Sequence, residues 1–195
     1  MRHALLALLA LPFALLPLHA AQAANHEHSH AHAHEEHASL DAHEHGVASL
    51  NVALDGQTLE IQLQSPAMNL VGFEHEAKSE ADKAKVAAAR QHLEQPQALF
   101  ALPIEAKCAL QDSELDSPLF GGHAHEEHEH ADEHGHSDID ASYRFACANA
   151  EALQTLELGS FFGTFPGTEK LEVQLIGPSG QQGAELTPSN SRLSF

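Results

Sequence analysis

The sequence predicts an α+β fold: a β-rich domain of antiparallel strands with one main helix packed on the sheet, plus two disordered histidine-rich segments. Three observations support this class. About six or seven short segments alternate apolar and polar residues, which is the period of a half-buried strand. One stretch rich in alanine and lysine has helical spacing. Two runs of histidine and acidic residues contain too few apolar side chains to offset the entropy of ordering.

Residues 1–23 have the layout of a secretory signal peptide. Arg2 precedes an apolar run from Ala4 to Leu18, and small residues surround the expected cleavage point near Ala23. Two prolines interrupt the run, which is short for a membrane span. We therefore expect an exported, periplasmic protein without membrane insertion after cleavage. An uncleaved membrane anchor is the alternative.

The rest of the chain predicts one domain with two interruptions of its regular pattern. Residues 24–45 are a histidine-rich segment that we expect to be disordered. A single β-rich domain is predicted at 46–195, with a disordered histidine- and acid-rich loop at about 116–140.

The domain is predicted to open with a β-hairpin. Segments 47–54 and 59–63 alternate with period two on both sides of Asp55-Gly56, a two-residue turn signal. Pro66 ends the second strand because proline cannot donate a backbone hydrogen bond.

The main helix is predicted between Ser79 and Gln95. Ser79, with Asp82 three residues later, is a plausible N-terminal cap, and Pro96 stops the helix. One stripe at helical spacing is available to face the core. It contains Val86, Ala89 or Arg90, and Leu93.

Two predicted strands carry the cysteines on either side of the acidic loop. Segment 104–110 includes Cys108 and segment 143–147 includes Cys147. If these strands pair antiparallel, the loop is the connection of a hairpin. In an oxidising compartment an even pair of cysteines favours one disulfide, with thiolate metal ligation as the alternative.

The C-terminal part predicts a strand at 171–175, a turn at 177–180, and two short strands near 184–187 and 191–195.

Charge excludes one class of partner. The formal net charge of the 195-residue chain is −19. Nucleic acid is not an expected partner, because its binding needs Lys and Arg to displace counterions. Cations are attracted by such a field.

Fourteen of the 18 histidines lie in two runs that predict binding of several Zn²⁺ ions. Repeated H-x-H in an extended segment lets two imidazoles bind one ion, while further histidine or carboxylate groups complete a tetrahedron. A solvated linker and a pH switch are the alternatives. The first run has His26, His28, His30, His32, His34, His37, His43 and His45, and the second has His123, His125, His128, His130, His134 and His136.

A tighter site requires ligands held by the fold. His43 and His45 adjoin the first strand, and His75 precedes the helix between two glutamates. A turn residue is an equally good interpretation of His75, and His92 is interpreted as a solvated helix residue. The chain contains no GxSxG motif and no Gly-rich phosphate loop, so we do not expect an enzyme.

The order of sequence blocks resembles the ZrgA-like family of periplasmic zinc-uptake proteins. The blocks are "HEHGVASLNVALDG", "SPAMNLVGFEHEAKS", an alanine-rich helix, "LFALPIEAKCAL", a histidine- and acid-rich loop, "YRFACANAEAL" and "FFGTFPGTEKLEVQLIGPSG". The family's histidine-rich loop corresponds to 121–138 and its "GFEH" block to 72–75.

The resemblance implies a periplasmic protein that scavenges Zn²⁺ and assists its uptake by passing it to the binding component of a zinc ABC importer. The alternative function is an envelope metal buffer that protects against excess Zn, Cu or Ni. Zinc is favoured by the resemblance alone, because histidine and carboxylate ligands hold Cu²⁺ more tightly.

Overall fold

The structure is a computed structural model that describes residues 44–121 and 137–195. The predicted signal peptide, most of the first histidine run and all of the second lie outside the described residues. The prediction that both runs are disordered therefore concerns mainly residues outside the described ranges. Structural statements below concern the described ranges.

The described chain contains eight strands, four short or medium helices and three 3-10 turns. They are β1 (Val47–Asp55), β2 (Thr58–Pro66), α1 (Ala67–Val71), α2 (Glu80–Leu93), α3 (Pro96–Leu99), β3 (Cys108–Asp116), β4 (Asp138–Cys147), β5 (Thr155–Glu157), α4 (Gly159–Thr164), β6 (Lys170–Gly177), β7 (Gly180–Leu186) and β8 (Arg192–Ser194), with 3-10 turns at Ile104–Ala106, Pro118–Phe120 and Ala150–Ala152.

Six strands form one mixed sheet in the order β3-β4-β2-β1-β6-β7, and β5 pairs with β8 in a separate two-stranded sheet. The pairing of β1 with β6 is parallel, whereas the other neighbours are antiparallel. The prediction of purely antiparallel sheets was therefore wrong at one pairing. β2 already pairs with one side of β1, so β6 pairs with the other side. The chain runs from α4 back to the end of the sheet at which β1 begins, and β6 therefore starts beside the start of β1.

Both predicted tight turns are confirmed. Asp55 pairs with Thr58, which leaves a two-residue loop that starts with Gly56 at φ 56°. A positive φ at the first loop position is required by the type I′ and type II′ turns that close two-residue hairpins. Gly177 pairs with Gly180 at the turn between β6 and β7.

One face of the six-stranded sheet forms the core and the other is polar. Alternate residues of β4 show this clearly, because Ile139, Tyr143 and Phe145 are buried while Ser142 and Arg144 are exposed. Each fully buried side chain of this size contributes about 1.5–3 kcal/mol of hydrophobic stabilisation. The core also contains Phe100, Phe161 and Phe165 from the helical connections.

The main helix, α2, forms where its cap predicts. The Ser79 hydroxyl accepts a hydrogen bond from the Asp82 N–H at 3.0 Å and donates one to the Asp82 carboxylate, which lowers the pKa of that carboxyl group. Its buried stripe is Val86, Ala89 and Leu93, so Ala89 rather than Arg90 faces the core.

The end of α2 is tied to the sheet by Tyr143. The Tyr143 hydroxyl donates a hydrogen bond of 2.8 Å to the Leu93 carbonyl oxygen, and burial raises the pKa of the hydroxyl, which keeps it protonated. Pro96 lies after the end of α2, as predicted, and is also the first residue of α3.

The predicted strand at 104–110 begins later than expected. Ile104–Ala106 form a 3-10 turn, Lys107 has φ 51°, and β3 begins at Cys108. Ile104 is 86% exposed, so its alternation with Cys108 does not reflect a shared buried face. The predicted loop at 116–140 also overlaps regular structure, because β4 already begins at Asp138.

A disulfide joins Cys108 to Cys147, which face each other at one end of the β3–β4 ladder. The disulfide favoured for the two cysteines is therefore confirmed, the strands that carry them pair antiparallel, and the bond excludes thiolate metal ligation. The two residues are 39 apart in sequence. Closing a loop of this length stabilises the folded state by about 3–4 kcal/mol in the chain-entropy treatment.

Three aspartates meet at the other end of this ladder. Asp116 pairs with Asp140, and Asp138 lies two residues before Asp140 on the same face of β4. Partial burial first, and then the charges of Asp138 and Asp116, raise the pKa of Asp140. The folded state therefore holds the Asp140 proton more tightly than the unfolded chain does, and the stability linked to it is lost as the pH rises through the raised pKa.

Breaking the disulfide should lower stability without changing the topology. We expect the double variant Cys108→Ser, Cys147→Ser to lose about 3–4 kcal/mol of unfolding free energy in chemical denaturation, because the unfolded chain regains loop entropy. The intact protein should be two hydrogens lighter than its reduced form in non-reducing mass spectrometry. Two freely alkylating thiols would contradict the bond.

Removing the Asp140 charge should stabilise the fold at neutral pH. Asp140→Asn is expected to raise the thermal midpoint by about 1–2 °C at pH 7, a modest gain because solvent screens the partly exposed carboxylate. The gain should vanish near pH 3, where the wild-type carboxyl group is protonated. Asp112→Asn is the matched control, because Asp112 faces Arg144 across the strand pair. A less stable Asp140→Asn variant at pH 7 would contradict the repulsion.

Candidate metal site

Both histidine runs are attached where the strands of the six-stranded sheet begin or end on one side of the sheet, and we call this row of strand ends the loop edge. β1 and β6 begin there, with Val47 paired to Lys170. β2 ends there and β4 begins there, with Pro66 paired to Asp138. The first run precedes β1 and the second lies between β3 and β4, so the topology brings their points of attachment to the same side of the molecule.

The loop edge holds a histidine–carboxylate pair. His45 Nε2 lies 2.9 Å from Glu74 Oε1. The His45 side chain is 52% exposed and the Glu74 side chain 14% exposed, so the pair is open to solvent on the histidine side. In a tetrahedral zinc site two ligand atoms lie about 3.3 Å apart. The observed separation therefore differs by roughly a few tenths of an ångström from the one that two ligands of the same zinc ion need.

Local structure fixes His45 in a tight turn. The Val47 N–H donates to the Glu44 carbonyl oxygen at 3.0 Å, and Gly46 has φ 87°. A positive φ at the third residue is the requirement of a type II turn, with His45 at the second position. His45 is thus carried by a hydrogen-bonded turn at the entrance to β1.

Glu74 is placed by the connection that follows α1. Gly72 ends that helix in the left-handed conformation at φ 82°, which turns the chain toward the loop edge. The Ser137 hydroxyl donates to the Glu74 carbonyl oxygen at 3.0 Å, and the Ser137 carbonyl oxygen accepts from the Ala67 N–H at 2.8 Å. The first described residue after the second histidine run therefore contacts the backbone of Glu74.

His75 is an oriented and exposed imidazole. Its Nδ1 lies 3.0 Å from the Glu76 carbonyl oxygen, and a carbonyl can only accept, so Nδ1 carries the proton. The neutral ring then keeps its lone pair on Nε2, the arrangement found in metal-bound histidines whose other nitrogen is hydrogen bonded. The ring stacks on Phe73 at 4.7 Å between centroids, and the Lys85 ammonium lies 5.7 Å from the Phe73 ring.

The field at the loop edge remains negative. Lys170, at the start of β6, lies 2.8 Å from Glu172 and 3.8 Å from Glu185. The hydrogen bond to Glu172 raises the pKa of Lys170, with smaller contributions from other acidic groups that include Glu44. The lysine charge is thus matched by neighbouring carboxylates and does not oppose the approach of a cation.

Two of the predicted metal ligands, His45 and His75, lie within the described residues. His43 and the other histidines of both runs lie outside them. Within 44–121 and 137–195, no three histidine, cysteine, aspartate or glutamate side chains form a group that could hold a metal ion. His92 is exposed on α2 and lies edge-on to Phe165, as expected for a solvated helix residue.

Glu74 is a candidate site residue that the sequence analysis did not name as a ligand. The sequence shows glutamates on both sides of His75. It does not show that the first of them meets His45, because the two residues are 29 positions apart and come together only through the folded α1 connection.

Comparison with known proteins gives one match and one negative result. The sequence model of the ZrgA family, described as zinc uptake proteins, matches residues 42–195. No curated protein matches the chain. Across the two described ranges, no helix combines the length and the apolar character needed to cross a membrane. The matched region covers the whole described sheet, the His45–Glu74 pair and the second histidine run, and the chain therefore belongs to the ZrgA family of zinc uptake proteins.

Proposed function

We propose that the protein is an exported, periplasmic zinc-binding protein that scavenges Zn²⁺ and assists its uptake, with the binding component of a zinc ABC importer as its partner. The observation that carries the proposal is the convergence of both histidine-run attachment points on the edge that holds His45 and Glu74. Family membership supports zinc as the metal. The disulfide is compatible with an oxidising compartment.

In this proposal the β-rich domain at 46–195 is the scaffold and residues 1–23 are the export signal. The histidines of the two runs supply capacity for several ions. Neither role includes catalysis.

A division between one tight ion and several weaker ions follows from conformational entropy. Ligands that must be immobilised on binding lose free energy for each ion that they hold. His45 and Glu74 are already positioned by a turn and a helix cap, so less entropy is lost when they bind. We propose them as two ligands of the tightest ion. His75, with its oriented Nε2, and His43 are the candidates that complete the shell together with imidazoles of the runs.

Metal buffering in the envelope is the second candidate function. The ligand chemistry favours it, since imidazole and carboxylate groups bind Cu²⁺ and Ni²⁺ as well as Zn²⁺. Family membership favours uptake instead.

Substitutions at His45 and Glu74, which we call the ordered pair, should weaken binding of the tightest ion and leave the total number of bound ions almost unchanged. His45→Ala and Glu74→Gln are each expected to weaken binding of that ion at least about tenfold, because loss of a hydrogen-bond partner behind a metal ligand already has an effect of this size and these two residues are proposed as ligands themselves. His75→Ala should act in the same direction. Competition with a chromogenic zinc chelator measures the affinity, and His92→Ala is the control.

The reciprocal variant replaces residues 122–136 with a short Gly/Ser linker. It should lose most of the weaker ions and keep the tight one, with an almost unchanged metal-free thermal midpoint, because loop length alters closure entropy only slightly. If none of the three substitutions changes the tightest ion, the ordered pair is not part of its site.

Regulation distinguishes uptake from buffering. We expect zinc starvation to induce the protein and its deletion to slow growth in zinc-depleted medium, because scavenging matters when the ion is scarce. Measurement of transcript level in depleted and metal-loaded cultures tests this. Induction by excess zinc or copper would favour the buffering function.

A further inference from the structure

A buried asparagine connects the two segments that carry the ordered pair. Asn69 lies on α1 and is 3% exposed. Its Oδ1 accepts a hydrogen bond of 2.7 Å from the Gly46 N–H. Its Nδ2 donates to the Val47 carbonyl oxygen at 2.9 Å and to the Ser65 hydroxyl at 3.2 Å. One carboxamide thus joins α1, the end of β2 and the start of β1.

The bond to Gly46 acts on the conformation of the turn that carries His45. The Gly46 N–H belongs to the central peptide of the type II turn from Glu44 to Val47. Type I and type II turns differ by a flip of this peptide, which changes ψ of the second residue and φ of the third. Because Asn69 Oδ1 accepts from the flipped N–H, it selects the type II form and so sets the direction in which His45 leaves the backbone.

The surroundings leave little freedom for compensation. The Gly46 carbonyl oxygen accepts from the N–H groups of Glu169 and Lys170 at 2.7 and 2.9 Å. A Cβ atom on Gly167 would lie 2.6 Å from the Asn69 carbonyl oxygen, so glycine there allows the loop before β6 to pack against α1. These contacts enclose Asn69. Among the described side chains, Asn69 is the one that accepts the hydrogen bond of the Gly46 N–H.

We propose that Asn69 is a positioning residue for metal binding: through Gly46 it holds the His45 imidazole close to Glu74, so that both side chains can reach one zinc ion. Glu74 follows Asn69 by five residues, so the Asn69 side chain bonds the turn that carries His45 to the same connection that leads to Glu74. The inference rests on the proposed function of His45 and Glu74.

The test compares Asn69→Leu with three other variants in chelator competition. Asn69→Leu keeps a similar volume and removes the three hydrogen bonds of the Asn69 carboxamide, including the one to Gly46. Gly46→Ala disfavours the positive φ of the same turn without changing Asn69. Both are expected to weaken the tightest zinc at least tenfold and to leave the number of weaker ions unchanged. Ser65→Ala removes only the hydrogen bond between Asn69 and the Ser65 hydroxyl, keeps the Asn69 bonds to Gly46 and Val47, and should change the affinity less than twofold.

Leu54→Ala serves as the control for lost stability, because Leu54 is buried beside the hairpin turn at the opposite end of β1. It should lower the thermal midpoint and retain the tight ion. A folded Asn69→Leu protein that binds the tightest zinc like the wild type would overturn the inference, and if Asn69→Leu does not fold, unchanged affinity in Gly46→Ala does so. If His45→Ala also leaves the tightest ion unchanged, the proposed site itself has failed, which is a different result.

Discussion

The parallel pairing of β1 with β6 is the constraint on which the arrangement of the loop edge depends. It places β1 inside the sheet, between β2 and β6, so the turn that carries His45 is enclosed by backbone on both sides. The Gly46 carbonyl oxygen receives hydrogen bonds from the residues that open β6, and the Gly46 N–H is bound by Asn69 after β2. Without β6 in this register, the first residue of β1 would be a free strand end, and the imidazole of His45, two residues before it, would have no fixed position relative to Glu74.

Stability and negative charge are located in different parts of the sheet. Its core face and its disulfide provide stability, while the loop edge carries polar and charged groups that serve no packing purpose. Asp140 illustrates the cost, since partial burial and two neighbouring aspartates raise its pKa. Negative charge of this kind is unfavourable for the fold but favourable for attracting divalent cations. The Cys108–Cys147 bond lies at the opposite end of the same ladder, where it offsets the repulsion at the loop edge by restricting the unfolded chain.

Elements that depend on local sequence could be predicted, and those that depend on distant contacts could not. The Asp55-Gly56 hairpin and the Ser79 cap are encoded within a few residues, and both form as expected. The facing cysteines also followed from two alternating segments. The parallel β1–β6 pairing, the 3-10 turn at Ile104–Ala106 and the role of Glu74 were not predictable, because alternation does not specify which strand is a neighbour or which glutamate of a pair points inward. Asn69 carried no signal at all, since a single asparagine in a short helix looks like any polar residue until its partners are known.

The ordered pair and the histidine runs make opposite uses of entropy, and the fold connects them. A histidine held by a turn and a hydrogen-bonded peptide binds with less loss of freedom, which favours affinity at one position. Each histidine of a run contributes less to affinity than a histidine held by the fold, but a run offers many ligands. Uptake needs both properties, because many weak ligands raise the local concentration of an ion and one stronger site retains it. Under the proposed function, both runs attach at the loop edge that holds His45 and Glu74, so transfer of an ion from a run to this pair would take place within one molecule at a high effective concentration.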